Sequence, residues 1–381
     1  DGAEVVVSTA IGEDNPELAL ARERGVEPVH RGQLLAELCA EKRLIAIAGT
    51  HGKTTTTAMA VWALRAIGAD PAFFVGGEVP GLGPDGGTAN AGWGEGEWVV
   101  AEADESDASF LRLRPDVAVV TNVEMDHHSR WGSLAELHAA FAEFAAPARG
   151  LVVPAGEDMT WLEGGEGQEV ARFDVASPGP ADLSLAVPGQ HNLRNARAAL
   201  AAIELAGLDT AAAAEALAGF PGVHRRLERK GSRGPVHIYD DYAHHPTEVR
   251  AALSALRELR PSRLLAVIQP HLYSRTRALS EEFGAALALA DEAVVLDVYP
   301  AREEPVGELA GVSGLQVAQA AAERMAGRPV WWLPRIEDAQ RALAERLDGN
   351  PQLYGEGTVL VTIGAGDVFK LGEGLVVEEN R

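Results

Sequence analysis

The stretch Ile45-Ala-Ile-Ala-Gly-Thr-His-Gly-Lys-Thr-Thr-Thr-Thr-Ala-Met59 places a lysine and four threonines directly after an apolar run. The apolar, partly β-branched half, closed by a glycine, predicts a short buried strand. The other half continues into a stretch typical of a helix. The turn Gly49–Thr54 between them predicts a phosphate site, because glycines let backbone N–H groups face an anion and the helix N-terminus attracts it.

Within this turn, Lys53 is expected to reach the β- and γ-phosphates of a nucleotide, and Thr54 to offer its hydroxyl to Mg²⁺. The spacing departs from the general pattern G-x-x-x-x-G-K-[ST], since Ile47 stands where the first glycine belongs. The alternative is a plain glycine turn capped by threonine. Gly-Lys-Thr between a strand and a helix favours the phosphate site.

The composition excludes several classes of protein. The chain has 381 residues, and 33 Lys and Arg against 56 Asp and Glu give a net charge of −23, so nucleic acid is not expected as a partner. Cys39 is the only cysteine, which excludes an internal disulfide and fits a reducing cytoplasm. The sequence shows no apolar run long enough for a membrane span, so neither membrane insertion nor a signal peptide is expected. A monomer or a homodimer is expected.

Strands and helices alternate along the chain, which predicts an α/β fold with mostly parallel sheets. Residues 1–40 are expected to be the tail of a domain that is mostly missing, 41–222 a central domain, and 223–381 a C-terminal domain. In the first half the predicted strands are 44–48, 72–75, 97–102, 116–121 and 150–153, and the predicted helices are 54–67, 133–145 and 192–206. In the second half the predicted strands are 236–240, 263–268, 292–297, 329–332 and 358–363, and the predicted helices are 247–258, 279–289, 314–326 and 336–347.

Two stretches are less regular. The Gly-, Pro- and Asp-rich residues 155–190 predict a small antiparallel addition to the sheet. The Ala-rich residues 196–218 predict a helix with a break near Gly207.

Polar clusters follow several predicted strands, which is where ligands bind in open α/β sheets. One such carboxylate can simply cap a helix, but six clusters together favour a site. They lie at 102–107, 121–128, 240–246, 269–276, 297–302 and 364–367. Glu102 and Thr54 suit Mg²⁺ by their oxygen chemistry, whereas His127 is a less usual ligand. Arg225 and Arg226 at the domain boundary are candidates to reach a phosphoryl group; the alternative is a solvated linker.

Six motifs together resemble the Mur ligases of peptidoglycan synthesis, and among them the alanine-adding branch. They are Gly49-Thr-His-Gly-Lys-Thr-Thr-Thr-Thr57, Ala101-Glu-Ala-Asp-Glu-Ser-Asp107, Thr121-Asn-Val-Glu-Met-Asp-His127, Gly189-Gln-His-Asn-Leu-Arg-Asn195, Asp240-Asp-Tyr-Ala-His-His-Pro246 and Gln269-Pro-His-Leu-Tyr-Ser-Arg-Thr276. The resemblance covers nearly the whole chain. It implies a P-loop-like central domain, a Rossmann-like C-terminal domain and a missing N-terminal domain that binds the UDP moiety.

The resemblance also implies an ATP- and Mg²⁺-dependent ligase that joins L-alanine to UDP-N-acetylmuramate. The muramic acid carboxylate would take the γ-phosphate of ATP and become an acyl phosphate, which the alanine amine would then attack. The implied ATP contacts are Gly49, Thr50, His51, Gly52, Lys53, Thr54, Thr55, His191, Asn192, Asn195, Arg226 and Asp241. The implied metal ligands are Thr54, Glu102 and His127. The substrate would meet Tyr242, His244 and Arg275, and the implied catalytic residues are Lys53, His244 and Arg275.

The chain departs from the pattern of that family at several points. Residues 1–40 match only the end of the N-terminal domain. Leu272 stands where many relatives have arginine. The run Asp126-His-His-Ser129 lacks the second aspartate that is common there, so His128 is left out of the implied metal set.

Other functions stay open on the sequence. A sister ligase that attaches a preformed peptide in cell-wall recycling shares most of these motifs, and a truncated, non-catalytic ATP-binding relic would explain the short N-terminus. A folate-polyglutamate-type ligase should lack the Asp-Asp-Tyr-x-His-His run. A GTPase should carry Asn-Lys-x-Asp, which the sequence does not contain.

Overall fold

The computed structural model describes residues 4–126, 130–162, 167–176 and 183–377. Contacts divide the chain into two compact units. The first contains residues 1–186 and 192–221, and the second contains residues 187–191 and 222–381. The residues predicted to form a separate 1–40 segment group with the first unit. Separate roles for the three predicted domains remain a proposal.

The N-terminal residues form two short strands and two helices. These are β1 (Val6–Val7), α1 (Pro16–Glu23), β2 (Val29–His30) and α2 (Arg31–Cys39). The strands β1 and β2 pair in parallel as a small sheet of their own. Asn15 starts α1, because its side-chain oxygen accepts the backbone N–H of Glu17 at 2.9 Å and that of Leu18 at 3.2 Å.

The main sheet of the first unit has seven strands in the order β5-β4-β6-β3-β7-β8-β9. Only the pair β4–β5 is antiparallel. The strands are β3 (Arg43–Ala48), β4 (Ala72–Pro80), β5 (Thr88–Gly92), β6 (Trp98–Glu102), β7 (Val117–Val120), β8 (Gly150–Pro154) and β9 (Glu169–Phe173). The helices are α3 (Lys53–Ala66), α4 (Leu134–Ala145), α5 (Gln190–Leu205) and α6 (Thr210–Leu217). The predicted break of the Ala-rich helix near Gly207 is confirmed.

The predicted antiparallel addition within residues 155–190 is wrong. The strand found there, β9, pairs in parallel with β8 from Gly150↔Glu169 to Pro154↔Phe173. A short, half-polar strand carries no signal of its direction, so the composition of this segment could not reveal it. The antiparallel strand of this sheet is β5, whose small and polar residues Thr88–Gly92 give no strand pattern.

The central strand β3 places the Gly49–Thr54 turn at the middle of this sheet. Residues 44–48 of β3 are at most 2% exposed, because strands β6 and β7 flank it in parallel and both faces are covered. The turn therefore leaves the carboxyl end of a fully buried strand, which is the expected place for a ligand in a parallel sheet.

The sheet of the second unit has six strands in the order β10-β11-β15-β12-β13-β14. Its strands are β10 (Glu228–Arg233), β11 (Val236–Asp241), β12 (Arg263–Ile268), β13 (Glu292–Val295), β14 (Val330–Trp332) and β15 (Thr358–Ile363). The helices are α7 (Pro246–Glu258), α8 (Tyr273–Leu287), α9 (Gly314–Arg324), α10 (Ile336–Gly349) and α11 (Phe369–Leu375). Only β10 runs antiparallel to its neighbour. The prediction of a mostly parallel α/β fold is confirmed.

Three features of the second unit differ from the prediction. The strand β10 was not predicted, because its charged residues lack an apolar alternation, and α11 was not predicted because it is short. The helix α8 begins at Tyr273 and not at 279. Leu279 has non-helical angles (φ −125°, ψ 18°), which interrupt the helix at the place where the pattern predicts its start.

Across the described part of the chain, the longest apolar helices fall short of what a membrane crossing requires.

Candidate active site

The turn after β3 is built around two glycines with positive φ. Gly49 has φ +132° and Gly52, the residue before α3, has φ +81°. A Cβ on Gly49 would lie 2.0 Å from the Thr121 hydroxyl oxygen, and one on Gly52 would lie 2.6 Å from Oδ1 of Asn195. Neither position accepts a side chain, so the backbone of this turn stays open toward the start of the fourteen-residue helix α3.

Residues after the neighbouring strand β7 fix the turn. The carbonyl of His51 accepts the Thr121 hydroxyl at 2.6 Å and the Asn122 amide at 2.9 Å, and the His51 N–H donates to Asn122 Oδ1 at 2.9 Å. The Thr50 hydroxyl donates to the carbonyl of Glu124 at 3.1 Å and accepts its N–H at 2.9 Å. The Thr121–Glu124 motif therefore holds the turn rigidly, a role that its sequence alone does not reveal.

The Lys53 ammonium group lies over this turn and is paired with a carboxylate. Its Nζ donates to the carbonyls of Gly49 at 2.6 Å and Thr50 at 3.3 Å, and lies 2.9 Å and 3.1 Å from the two oxygens of Glu105. Burial, the largest influence, lowers the pKa of Lys53. The charges of Glu105, Asp104 and Glu102 outweigh that effect and raise the pKa above its usual value, so the group stays protonated.

Thr54 and Glu102 form a hydroxyl–carboxylate pair beside the turn. The Thr54 hydroxyl donates to Glu102 Oε1 at 2.9 Å, and Glu102 Oε2 accepts the Gly76 N–H at 2.6 Å. These two oxygen donors fit the ligand preference of Mg²⁺ and could hold it. His127, the third implied ligand, lies outside the described residues.

Asn195 and Thr55 are further residues of the first unit for which the family resemblance implies a nucleotide contact. Asn195 is buried on α5; its side-chain amide nitrogen lies 3.5 Å from Oδ1 of Asn192, and its side-chain oxygen faces Gly52. Thr55 is buried in the first turn of α3. Asn192 and Asn195 thus lie on the same face of one helix, as their spacing implies.

Arg226, Asp241, Tyr242 and His191 lie close together in the second unit. Asp241 ends β11, and its carboxylate accepts the N–H groups of Ala243 at 2.7 Å and Leu227 at 2.8 Å. The Arg226 guanidinium lies 5.1 Å from the Tyr242 ring centre.

Burial and Arg226 set the ionisation of this group of residues. Burial raises the pKa of Asp241 to about 6, although Arg226 acts to lower it. Burial and then Arg226 lower the pKa of His191 to about 4, while Glu248 acts to raise it. His191 is therefore neutral at pH 7, and its ring nitrogens differ, one donating and one accepting.

The two boundary arginines have different partners. Arg225 donates to Asp240 at 3.0 Å and to the carbonyl of Gly364 at 2.7 Å, which ties the ends of β11 and β15 together. Its φ of +60° is unusual for a residue with a side chain. Arg225 is thus engaged in holding the sheet, and the phosphate contact implied for Arg226 stays a prediction.

The implied substrate residues lie in one aromatic cluster. The ring centres of Tyr242 and His244 are 5.5 Å apart, and those of His244 and His271 are 5.8 Å apart. Arg275 is 5% exposed and donates from Nη1 to Nδ1 of His271 at 3.2 Å. Tyr299 stacks on His271 at 5.8 Å. His271 connects the residues that the sequence selected, and it was missed although it lies inside the quoted motif.

Comparisons with known proteins identify the relatives of this chain. The model of the Mur ligase middle domain matches residues 47–163, and that of the Mur ligase glutamate ligase domain matches residues 225–366. A UDP-N-acetylmuramate–L-alanine ligase of Paenarthrobacter aurescens is 42% identical over 99% of this chain and 84% of its own length. The corresponding ligase of Kineococcus radiotolerans is 46% identical over 97% of this chain and 82% of its own length.

Solved structures show the same fold. The UDP-N-acetylmuramate–alanine ligase of Thermotoga maritima superposes with a TM-score of 0.78 at 28% identity, covering 97% of this chain and 84% of that one. A murein peptide ligase of Psychrobacter arcticus superposes with a TM-score of 0.68 at 23% identity, covering 97% and 85% of the two chains. At that identity the second likeness concerns the fold alone.

Proposed function

Because the chain belongs to the Mur ligase family, whose members are ATP-dependent, we propose that it joins L-alanine to the carboxylate of UDP-N-acetylmuramate in peptidoglycan precursor synthesis. The observation that carries the proposal is the 42% identity, over 99% of the chain, to a ligase of that name. The open turn at Gly49 and Gly52, with Lys53 above it, supports the same reading, since it offers an anion site of the kind that the reaction needs.

The first unit supplies the groups for the phosphates. Backbone N–H groups at the start of α3 and the Lys53 ammonium group would neutralise the β- and γ-phosphates. Asn195 and Asn192 on α5 would contact the nucleotide, as would Thr55, His51 and Thr50 of the turn.

The oxygens of Thr54 and Glu102, 2.9 Å apart, would hold Mg²⁺, which when bound neutralises charge on the phosphates. We include His127 in this proposal on the family resemblance.

The second unit supplies groups for the acceptor side. Tyr242, His244 and Arg275 would face the muramoyl carboxylate and the incoming amine. The Arg275 guanidinium is held by His271, and its planar fork of donors suits the orientation of a carboxylate. Arg226 would contact the nucleotide phosphates. Beside it lie His191, which is neutral at pH 7, and the carboxyl group of Asp241.

The chemistry follows from the poor reactivity of a carboxylate toward an amine. Transfer of the γ-phosphoryl group makes the muramoyl carboxylate an acyl phosphate, and the phosphate then leaves when the alanine nitrogen attacks the carbonyl carbon. The residues' task is to neutralise and align charged groups, which is the main requirement of phosphoryl transfer.

We also propose a cytoplasmic location, which fits a single buried thiol at Cys39. A monomer or a homodimer remains the expectation.

Competition between amine acceptors tests the proposal against the recycling ligase. The purified protein is given ATP, Mg²⁺ and UDP-N-acetylmuramate with L-alanine, glycine or an L-alanyl peptide, and the products are separated by mass. We expect L-alanine to be the preferred acceptor. Preference for the peptide would support the recycling reaction, and nucleotide binding without any product would support a non-catalytic relic.

A further inference from the structure

Glu105 is a carboxylate of the site for which the sequence analysis predicts no role. Its side chain is 2% exposed and lies 2.9 Å from Lys53 Nζ, whose own side chain is 13% exposed. An ion pair this deeply buried is costly to form and costly to break. We therefore look for the role of Glu105 in the function of Lys53, its direct partner.

The three donors of the Lys53 ammonium group are all in use. They point to the carbonyls of Gly49 and Thr50 and to Glu105. A phosphate that approaches Lys53 needs at least one of these donors. Glu105 is the partner that such a phosphate would displace, because two negative groups cannot share one ammonium without strong repulsion.

The backbone that carries Glu105 is fixed from several sides. Trp131, itself 3% exposed, donates its indole N–H to the Glu105 carbonyl at 3.2 Å. The Ala108 N–H donates to the same carbonyl at 3.1 Å. Asp107, on the same loop, lies 3.4 Å from the Arg31 guanidinium. The backbone of Glu105 is thus held in place, and the long, flexible Lys53 side chain is the partner that can move.

We propose that Glu105 is a positioning residue for Lys53, holding its ammonium group over the turn and releasing it to the phosphate of an incoming nucleotide. This inference rests on the proposed function, because it assumes that the turn binds a nucleoside triphosphate. It adds that part of the nucleotide's binding free energy is used to break the Lys53–Glu105 pair.

The test compares nucleotide binding by four forms of the full chain. The dissociation constant of a non-hydrolysable ATP analogue with Mg²⁺ is measured by calorimetry for the wild type, Glu105→Gln, Glu105→Asp and Asp104→Asn. Asp104 is the matched control, because it is a carboxylate on the same loop whose side chain bonds to Ser106. Its charge acts on Lys53, while the ion pair of Lys53 is with Glu105.

We expect Glu105→Gln to bind the analogue about tenfold more tightly, since the pair no longer has to be broken. Glu105→Asp keeps the charge at a longer distance and should fall between the wild type and Glu105→Gln. Asp104→Asn should change affinity less than Glu105→Gln. In steady-state assays the KM for ATP should fall in Glu105→Gln while the KM for L-alanine stays unchanged, which a merely structural role would not produce.

Unchanged or weaker binding by Glu105→Gln would overturn the inference, and weaker binding would indicate that Glu105 helps to hold the nucleotide. An equal effect of Asp104→Asn would also overturn it, because the cause would then be general charge. If Glu105→Gln does not fold, Glu105→Asp decides alone: it must bind more tightly than the wild type. A wild type that binds no nucleotide would refute both the proposed function and the inference. A wild type that binds the analogue, with no tighter binding by Glu105→Gln, would refute the inference alone, so the two failures are distinguishable.

Discussion

At the scale of single residues, Gly49 is the position where the turn depends most on the absence of a side chain. A methyl group there would lie 2.0 Å from the Thr121 hydroxyl oxygen and 2.9 Å from its backbone nitrogen. We expect Gly49→Ala to lower the free energy of unfolding by roughly 3 kcal/mol or more, because the clash adds to backbone strain. Thermal or denaturant unfolding of the purified variant measures this loss.

Gly68 provides the matched control for that variant. It also has a positive φ, +78°, but a Cβ there would meet nothing within 4 Å. Gly68→Ala should therefore cost only the backbone strain, about 1 kcal/mol. Equal losses in the two variants would contradict the view that close approach to Thr121 shapes the turn.

His191 makes the stability of the protein depend on pH. Burial and Arg226 lower its pKa from 6.5 to about 4, so the folded protein keeps it neutral where the unfolded chain protonates it. Its contribution is complete above pH 6.5 and is lost as the pH falls through 4. Between pH 7 and pH 5 the melting temperature of the wild type should fall roughly 2–4 °C further than that of His191→Gln.

Asp241 changes the stability in the opposite direction as the pH falls. The pH dependence of His191→Gln must therefore be compared with that of the wild type, which contains the same Asp241. Its raised pKa, about 6, gives a contribution that is complete below pH 3.8 and is lost as the pH rises through 6. The difference between wild type and His191→Gln removes this shared term. Parallel pH curves for the two proteins would contradict the assignment of His191.

The site residues that could be predicted from the sequence are those that stand in a recognisable local spacing. Gly49, Lys53 and Thr54 stand in a strand–turn–helix pattern that is recognisable from the residues alone. Glu105 and His271 were missed, although both lie inside quoted motifs. Their positions depend on pairing across the fold, with Lys53 in one case and with Arg275 in the other, and local spacing does not report such pairs.

At the scale of secondary-structure elements, a buried polar network holds the start of β13. Glu292 is 1% exposed. It accepts hydrogen bonds from Arg346 at 3.0 Å, Trp331 at 3.2 Å and the Tyr354 hydroxyl at 2.9 Å, and lies 3.6 Å from Arg263. We expect Glu292→Ala to lower the free energy of unfolding by about 2–4 kcal/mol, because it leaves the buried Tyr354 hydroxyl and the partly buried guanidinium groups of Arg346 and Arg263 without their acceptor.

Denaturant unfolding followed by tryptophan fluorescence measures the effect, since Trp331 belongs to the network. Glu337→Ala is the control, because the Glu337 side chain is 75% exposed and should change stability by about 0.5 kcal/mol or less. A loss below about 1 kcal/mol in Glu292→Ala would show that the network contributes little beyond ordinary surface pairs.

Elements with a strong apolar pattern were predicted well, whereas the edge strands β5 and β10 were not predicted. The central strand β3 and the strands beside it read as continuous apolar runs because both their faces are buried. The edge strands β5 and β10 have one open side, so their residues need not be apolar and give no pattern. The direction of β9 was missed for a related reason, since direction depends on its partner β8.

At the scale of the whole molecule, the predicted residues are divided between two compact units. The first contains Lys53 and Thr54 of the Gly49–Thr54 turn together with Glu102, and the second contains Arg226, Tyr242, His244 and Arg275. The alternating pattern of the sequence was sufficient to predict the fold class of both units. That pattern could not reveal that residues 187–191 belong to the second unit. In sequence they lie directly before residues 192–221, which belong to the first unit and contain most of α5.

The measurement that tests the account most directly is phosphate release from ATP and Mg²⁺, with UDP-N-acetylmuramate and L-alanine each present or omitted. The account predicts release only when both are present, and predicts that Lys53→Ala lowers the rate by at least about a hundredfold, since a charge on the transferring group is then left unneutralised. Lys42→Ala, a lysine that bonds to the carbonyls of Gly94 and Gly96, is the control. Release that does not depend on both substrates, or that survives in Lys53→Ala, would contradict the central claim that this chain is an ATP-dependent ligase acting through the Gly49–Thr54 turn.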